Sequence, residues 1–573
     1  MSSRTFKGIA VSPGFAIGKV TIFQHHDEQV MVRHDVDVDD EQYRFKNAIR
    51  QALQEMDETI LRARQRLSQE DAQIFEAHKL VLEDPEFYDT ILNLILVEKI
   101  NAEAALQNVS QQLVEIFENM ENEYFRQRAI DIKDISSRVM KILHGQEVKD
   151  STESLDQFIL MAHDLTPSDT LNLDARGVLA FVTETGGRTS HTAIVSKSLG
   201  IPAIVGVADL IQSIEMGSQV IVDGNEGKVI VNPSMDEMEE YEQKIRAYQQ
   251  TLMAQAALKD EPTISSDGLK VEIGANISSL DDLDNALTYG AEGIGLFRTE
   301  FLFMNRESAP DEEEQFEVYR TVVSAMKGKP VIIRTLDIGG DKMITYLDLP
   351  HESNPFLGYR AIRLTLDRVD LFETQLRAIL RASRYGRVKV MYPMISNLTE
   401  VRQANAILQN AKQQLIENHI PFNPQLEVGI MIEIPAAAIM ADALAKEVDF
   451  FSLGTNDLIQ YTMACDRLNE KISYLYQPYH PSLLRLIKWV IDAAHTRGKS
   501  VGLCGEMAGD PIAIPLLLGM GLDEFSVSPS LILPTRSIIR KLNSISMKEL
   551  VDQALTLEDE EQVKGIVAKN LSL

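Results

Sequence analysis

Cysteine is nearly absent: two residues, Cys465 and Cys504, in a chain of 573. So few exclude a disulfide framework and suit a reducing compartment. Long apolar runs are missing as well. No stretch approaches the roughly 20 residues that a membrane helix needs. The start, Met1-Ser2-Ser3-Arg4-Thr5-Phe6-Lys7, lacks the apolar core of a signal peptide. A cytoplasmic location is the expectation. An excess of positive charge is also missing. Lys and Arg total 56 against 85 Asp and Glu, a formal charge of −29 at pH 7. Nucleic acid and anionic membranes are therefore poor partners, while a basic protein partner remains open.

What is present is an ordinary globular composition, 45% hydrophobic and 25% charged, in a chain too long for one core. Short strands broken by Pro-Gly occupy Gly8–Val20. From about Asp39 to Gly145 the pattern is helical, rich in Gln, Glu, Leu and Ala, with no Gly-rich phosphate loop. Gln157–Ala162 then reads as a strand, and Val220–Val231 as a hairpin. A polar, glycine-free stretch from Ser234 to about Lys259 reads as a connecting helix. The expected domains are residues 1–35 with 146–233 (α/β), 36–145 (an inserted helical subdomain), 234–260 (a linker helix) and 261–573.

The last segment has a steady beat. Strand-like runs at Val271–Ile277, Gly293–Arg298, Val331–Asp337, Val388–Met394, Val428–Ile434, Phe450–Leu453, Val501–Cys504 and Glu524–Val527 alternate with helical patterns. Eight such repeats predict a (β/α)₈ barrel, whose chemistry belongs at the C-terminal ends of its strands. Those ends carry Asn276, Arg298 with Glu300, Arg334 with Asp337, Pro393 with Met394, Glu433, Asn456 with Asp457, and Cys504 with Glu506. Arg298, Arg334, Arg360 and Arg467, if they converge, demand a strongly anionic target such as phosphate plus carboxylate. Glu433 and Asp457, expected on neighbouring strand ends, suit a hard cation, Mg²⁺ rather than Zn²⁺. Cys504, among glycines, is placed to give a proton to a substrate carbon. Glu300 and Asp337 are candidates for supporting the arginines.

A second chemistry lies upstream. Gly186-Gly187-Arg188-Thr189-Ser190-His191-Thr192 follows a strand-like run and opens a helical pattern near Thr189 or Ser190. A histidine in a first helical turn stays neutral and nucleophilic, and the helix end stabilises a phosphate formed on it. Arg188 is placed to pair with phosphate oxygens. His78, which lacks such a setting, is expected to be structural.

The motifs resemble phosphoenolpyruvate-protein phosphotransferase, the enzyme I family of the bacterial sugar phosphotransferase system. They are Gly186–Thr192, Ile201–Gly206, Gly293–Phe301, Asp337–Lys342, Asn354–Gly358, Gly454–Leu458 and Gly502–Asp510. The resemblance spans essentially the whole chain. It implies a swivelling phosphohistidine domain with a helical insert, joined to a phosphoenolpyruvate-binding barrel. It implies His191 as the phosphorylated residue and Arg298, Arg334, Arg360, Arg467, Asn456 and Asp457 as substrate-binding. It also implies Glu433 and Asp457 as Mg²⁺ ligands and Cys504 as the acid that yields pyruvate. The implied partners are the small phosphocarrier HPr, docking on the insert, and a second copy through the barrel domain. Ile459 and Cys465 depart from the family's usual residues. Cys465 is expected to be a packed small residue rather than an oxidisable partner of Cys504. The competing reading is a Mg²⁺-dependent barrel lyase or aldolase acting on a pyruvate-like acid, with His191 idle.

Overall fold

The structure is a computed structural model. It describes residues 3–23, 30–34, 36–66, 69–118, 123–145, 157–166, 169, 177–187, 190–304, 306–340, 344–347, 349–350, 352–467 and 469–571. The chain forms two compact units, Met1–Thr251 and Leu252–Leu573. Among the described residues no helix is long and apolar enough to cross a membrane.

The first unit holds one eight-stranded sheet: β1 (Arg4–Lys7), β2 (Ile9–Ser12), β3 (Phe15–Phe23), β4 (Phe158–Ala162), β5 (Val178–Thr183), β6 (Ala203–Val205), β7 (Gln219–Asp223) and β8 (Lys228–Val231). Their spatial order is β1-β8-β7-β3-β4-β5-β6-β2. Strand β4 is buried at every residue, as a near-continuous apolar run in a covered parallel strand requires. Strands β7 and β8 form the predicted hairpin. Its turn is set by Asp223, whose Oδ1 accepts from the amides of Asn225 and Glu226 at 3.0 Å each.

Between β3 and β4 the described residues form five helices, Val38–Arg66, Gln69–Leu82, Pro85–Glu98, Ala102–Glu118 and Glu123–Leu143. They bury their own core, including Phe45, Met56, Ile91, Ile95 and Leu106. His78 is fully buried there, its Nε2 3.0 Å from Asp131 and its Nδ1 3.4 Å from Asp134. That is a structural setting. The connecting helix runs Met235–Ala256, and the division between the units falls inside it. Tyr241 of this helix is buried and donates to Asp223 Oδ2 at 3.0 Å.

The second unit is a closed barrel of eight parallel strands. These are β9 (Glu272–Ile277), β10 (Gly293–Phe297), β11 (Val331–Arg334), β12 (Val388–Tyr392), β13 (Glu427–Ile432), β14 (Phe450–Leu453), β15 (Ser500–Leu503) and β16 (Glu524–Val527). Most end one to three residues earlier than the sequence pattern suggests. The ladder stops where the chain turns into the upper loops, so Arg298, Asp337, Glu433 and Cys504 lie just past their strands. Small interior residues make room low in the barrel. A Cβ on Gly295 would stand 2.0 Å from Glu524 Oε1, so Gly295 is what admits that carboxylate.

Candidate functional site

Fifteen residues at the barrel mouth line one cavity of about 210 Å³; of the strand-end residues read from the sequence, Asn276, Glu300, Pro393, Met394 and Glu506 are not among them. Arg298, Arg334, Arg360 and Arg467 all face it, together with Asp337, Glu433, Asp457, Asn456 and Cys504. They come from different parts of the fold. Arg298 and Arg334 come from the ends of β10 and β11. Arg360 precedes the helix Ile362–Asp367, and Arg467 follows the helix Thr455–Met463. Asp457 is not on a strand end as expected. Strand β14 stops at Leu453, and Asp457 sits in the first turn of the helix Thr455–Met463. Glu433 does follow β13 directly.

Two arginines arrive already paired. Arg334 donates to Glu300 at 2.7 Å and lies 3.0 Å from Asp337. Arg360 holds Asp337 with contacts at 3.0 and 3.1 Å and reaches Asp457 at 3.2 Å. Burial opposes both charges, yet the surrounding carboxylates win and hold both pKa values above the ordinary range. The other two are freer. Arg298 has no hydrogen-bonded or ionic side-chain partner among the described residues. Arg467 meets Asp457 only at 3.7 Å. This distribution supports the reading of Glu300 and Asp337 as braces for the arginines.

Burial pushes the Glu433 carboxyl up to about 8, with Asp457 and Asp337 adding repulsion against Arg360 and Arg334. The buried Asp457 Oδ1 has no hydrogen-bond partner. An oxygen without a donor beside a second carboxylate that resists ionisation is a donor set suited to a cation. Among the described residues no group of three or more His, Cys, Asp and Glu side chains is arranged for a metal.

The cavity also presents a thiol. Burial pushes the Cys504 thiol up to about 11, so it carries its proton at neutral pH. Asn276 donates to the Cys504 carbonyl at 3.0 Å and to Ser526 at 3.1 Å, tying β9 to the tips of β15 and β16. Asn456 Oδ1 accepts from the Glu506 amide at 3.0 Å. Gly505 permits this fit, since a Cβ there would stand 1.9 Å from Thr455 Oγ1. Cys465 is buried and does not line the cavity.

In the first unit, the backbone of His191 opens the helix His191–Leu199, capped by Ser190, whose hydroxyl accepts from the Ala193 amide at 3.4 Å. Arg188 and the side chain of His191 lie outside the described residues.

Sequence reasoning missed Tyr461. Its hydroxyl donates to the Phe356 carbonyl at 2.5 Å and lies 3.3 Å from Arg360 Nη1. The available signal was its helical spacing of four from Asp457, which puts both on one face. It also missed Gln460, whose side chain accepts from the Arg467 amide at 3.1 Å.

Three family models match the chain. They are PEP-utilising enzyme, N-terminal (residues 7–128), mobile domain (155–227) and PEP-binding domain (253–544). Three similar relatives each carry the name phosphoenolpyruvate-protein phosphotransferase. Those of Bacillus sp. (strain S) and Geobacillus stearothermophilus are each 50% identical over 570 residues, covering 100% of this chain and 99% of the relative. That of Bacillus subtilis (strain 168) is 49% identical over 561 residues, covering 98% of each.

Proposed function

The chain belongs to the phosphoenolpyruvate-protein phosphotransferase family, and from that premise we propose how its residues carry the phosphoryl group from phosphoenolpyruvate to protein. The observation that carries the reading is one cavity lined by four arginines, two metal-type carboxylates and a protonated thiol. Arg334 and Arg360, locked by carboxylates, present fixed donors. Arg298 and Arg467, less engaged, take the phosphoryl and carboxylate oxygens of the substrate. Asn456 holds the substrate through its polar edge. Glu433 and Asp457 hold Mg²⁺, which supplies Lewis-acid neutralisation of phosphoryl and enolate oxygens when bound.

His191, at its helix start, attacks phosphorus in line as a neutral imidazole. The bond from phosphorus to the enol oxygen breaks, and its electron pair stays on the enolate. Cys504 then gives its proton to the terminal carbon, and pyruvate leaves. His191 passes the phosphoryl group to a histidine of HPr, the first general step of a sugar phosphotransferase system. The insert, residues 36–145, docks that carrier. Leu80, 68% exposed, stands near the exposed Glu83 and Asp84, an apolar spot with an acidic edge that attracts a basic partner. The chain works in the cytoplasm as a homodimer through residues 261–573.

The test is phosphoenolpyruvate labelled on phosphorus, mixed with the purified chain, Mg²⁺ and HPr. Acid-labile label on His191, its loss in His191→Ala, and its passage to HPr are expected. Pyruvate chemistry with no label on the chain would favour the lyase reading instead.

A further inference from the structure

The Cys504 sulfur lies in an apolar part of the barrel interior, clustered with Leu296, Ile332, Met391, Met431 and Phe450. Two polar groups reach it. The hydroxyl of Ser452 donates to Sγ at 3.4 Å, and the thiol faces the Leu453 carbonyl at 3.7 Å. Ser452 is on β14, in register with Gly502 on β15. Cys504 is two residues beyond Gly502, so the two side chains share the inner face and Ser452 sits one layer below the thiol. Ser452 is 2% exposed. Its side chain makes no other hydrogen bond among the described residues. A buried hydroxyl with one weak sulfur partner is costly in a core, and alanine fits the same space. Packing alone gives no reason for serine here.

We propose that Ser452 is a positioning residue for the protonation step, aiming the Cys504 thiol at the cavity and stabilising the thiolate left behind. The inference rests on the reading of Cys504 as the proton donor. In that step the S–H bond breaks and a C–H bond forms on the enolate's terminal carbon. The enolate's electron pair makes that bond, its C–O becomes the ketone of pyruvate, and the sulfur keeps the S–H pair. Ser452, which already donates to the sulfur, keeps its hydrogen bond and strengthens it as charge appears. Solvent then reprotonates the thiolate. The Ser452 hydrogen bond already pulls the thiol pKa down against burial, as a bond to the charged form should.

The experiment compares wild type, Ser452→Ala and Cys504→Ala as full chains with Mg²⁺. Three readouts are taken: steady-state kinetics with phosphoenolpyruvate and HPr, the pH profile of Cys504 alkylation by iodoacetamide, and thermal unfolding. Ser452→Ala should lower kcat about tenfold, the loss of one hydrogen bond to a charged group. KM should stay within about twofold, the alkylation profile should move to higher pH, and the melting temperature should not fall. Unchanged kcat and alkylation in Ser452→Ala, with kcat collapsed in Cys504→Ala, overturns the role of Ser452 and leaves Cys504 as donor. Wild-type kcat in Cys504→Ala overturns both. A kcat loss that tracks a fall in melting temperature, with alkylation unmoved, makes Ser452 structural and also overturns the proposal.

Discussion

Arg298 and Arg334 face the same cavity, yet exchanging each for methionine should have unequal consequences for stability. Arg334 is buried, 2.7 Å from Glu300 and 3.0 Å from Asp337. Removing its charge takes one cation from Glu300 and one from Asp337. Glu433, whose carboxyl burial already pushes up to about 8, loses one of the two cations that oppose the rise. Breaking a buried pair from one side costs about 3–5 kcal/mol. For a domain of this size that lowers the melting temperature of the barrel unit by roughly 10 °C. Arg298 is only partly buried and has no ionic partner among the described residues, so Arg298→Met should change stability by less than about 0.5 kcal/mol. Both variants should lose about a hundredfold in kcat/KM for phosphoenolpyruvate, the loss of one charge-assisted contact of about 3 kcal/mol. Calorimetry of the full chain, read on the barrel transition, with the same preparations assayed for label transfer, checks both halves. Equal destabilisation by the two substitutions would refute the division into braced and free arginines.

Other outcomes follow from particular contacts. Burial lifts Glu524 to about 7 from 4.5, with Glu272 and Asp523 adding and Lys389 opposing. The unfolded chain releases that proton first, so this group makes stability fall as pH rises from 4.5 to 7 and then level off. Glu524→Gln should therefore gain of order 2 kcal/mol over wild type at pH 8 and nothing at pH 4 in guanidinium unfolding; a pH-independent difference would contradict this. Tyr461→Phe removes the hydroxyl that bonds the Phe356 carbonyl at 2.5 Å and meets Arg360 at 3.3 Å. Its kcat/KM should drop about tenfold, mostly through KM, and an unchanged KM would show that the hydroxyl does not shape the cavity. Arg536 is fully buried and donates to the carbonyls of Leu258, Lys259 and Gly290 at 2.7–3.0 Å. Arg536→Met should cost about 3 kcal/mol in barrel unfolding and speed amide exchange around Lys259; wild-type values for both would show those carbonyls are satisfied otherwise.

The barrel was legible because its strands are short apolar runs ended by charged or thiol groups, and period and punctuation survive in one dimension. Arg298, Arg334, Glu433 and Cys504 could be found by reading each strand end. Asp457 was found on weaker grounds, since its helix begins at once after β14 and the pattern does not mark the boundary. The charge balance of the cavity was less accessible. Arg360 meets Asp337 across 23 residues and Asp457 across 97, and no local spacing encodes such pairs. Ser452 was invisible for a related reason. A serine in an apolar strand has no signature until β15 is laid beside it.

The pairing explains why a site that collects four arginines can fold before its ligand arrives. Four cations around about 210 Å³ would repel one another in a medium that screens them poorly. Glu300, Asp337 and Asp457 cancel most of that charge for Arg334 and Arg360 and fix their geometry. Fixed donors need no reorganisation when charge shifts on the substrate, which is where electrostatic catalysis gains most. Asp457 divides its two oxygens: Arg360 takes Oδ2 at 3.2 Å, while Oδ1 has no hydrogen-bond partner and meets Arg467 only at 3.7 Å. Arg467, 31% exposed, is the freer of the two to move. A cation held by Glu433 and Asp457 would use the unpartnered Oδ1 and leave the Arg360 contact on Oδ2 in place, and Arg467 would stay available to an incoming anion.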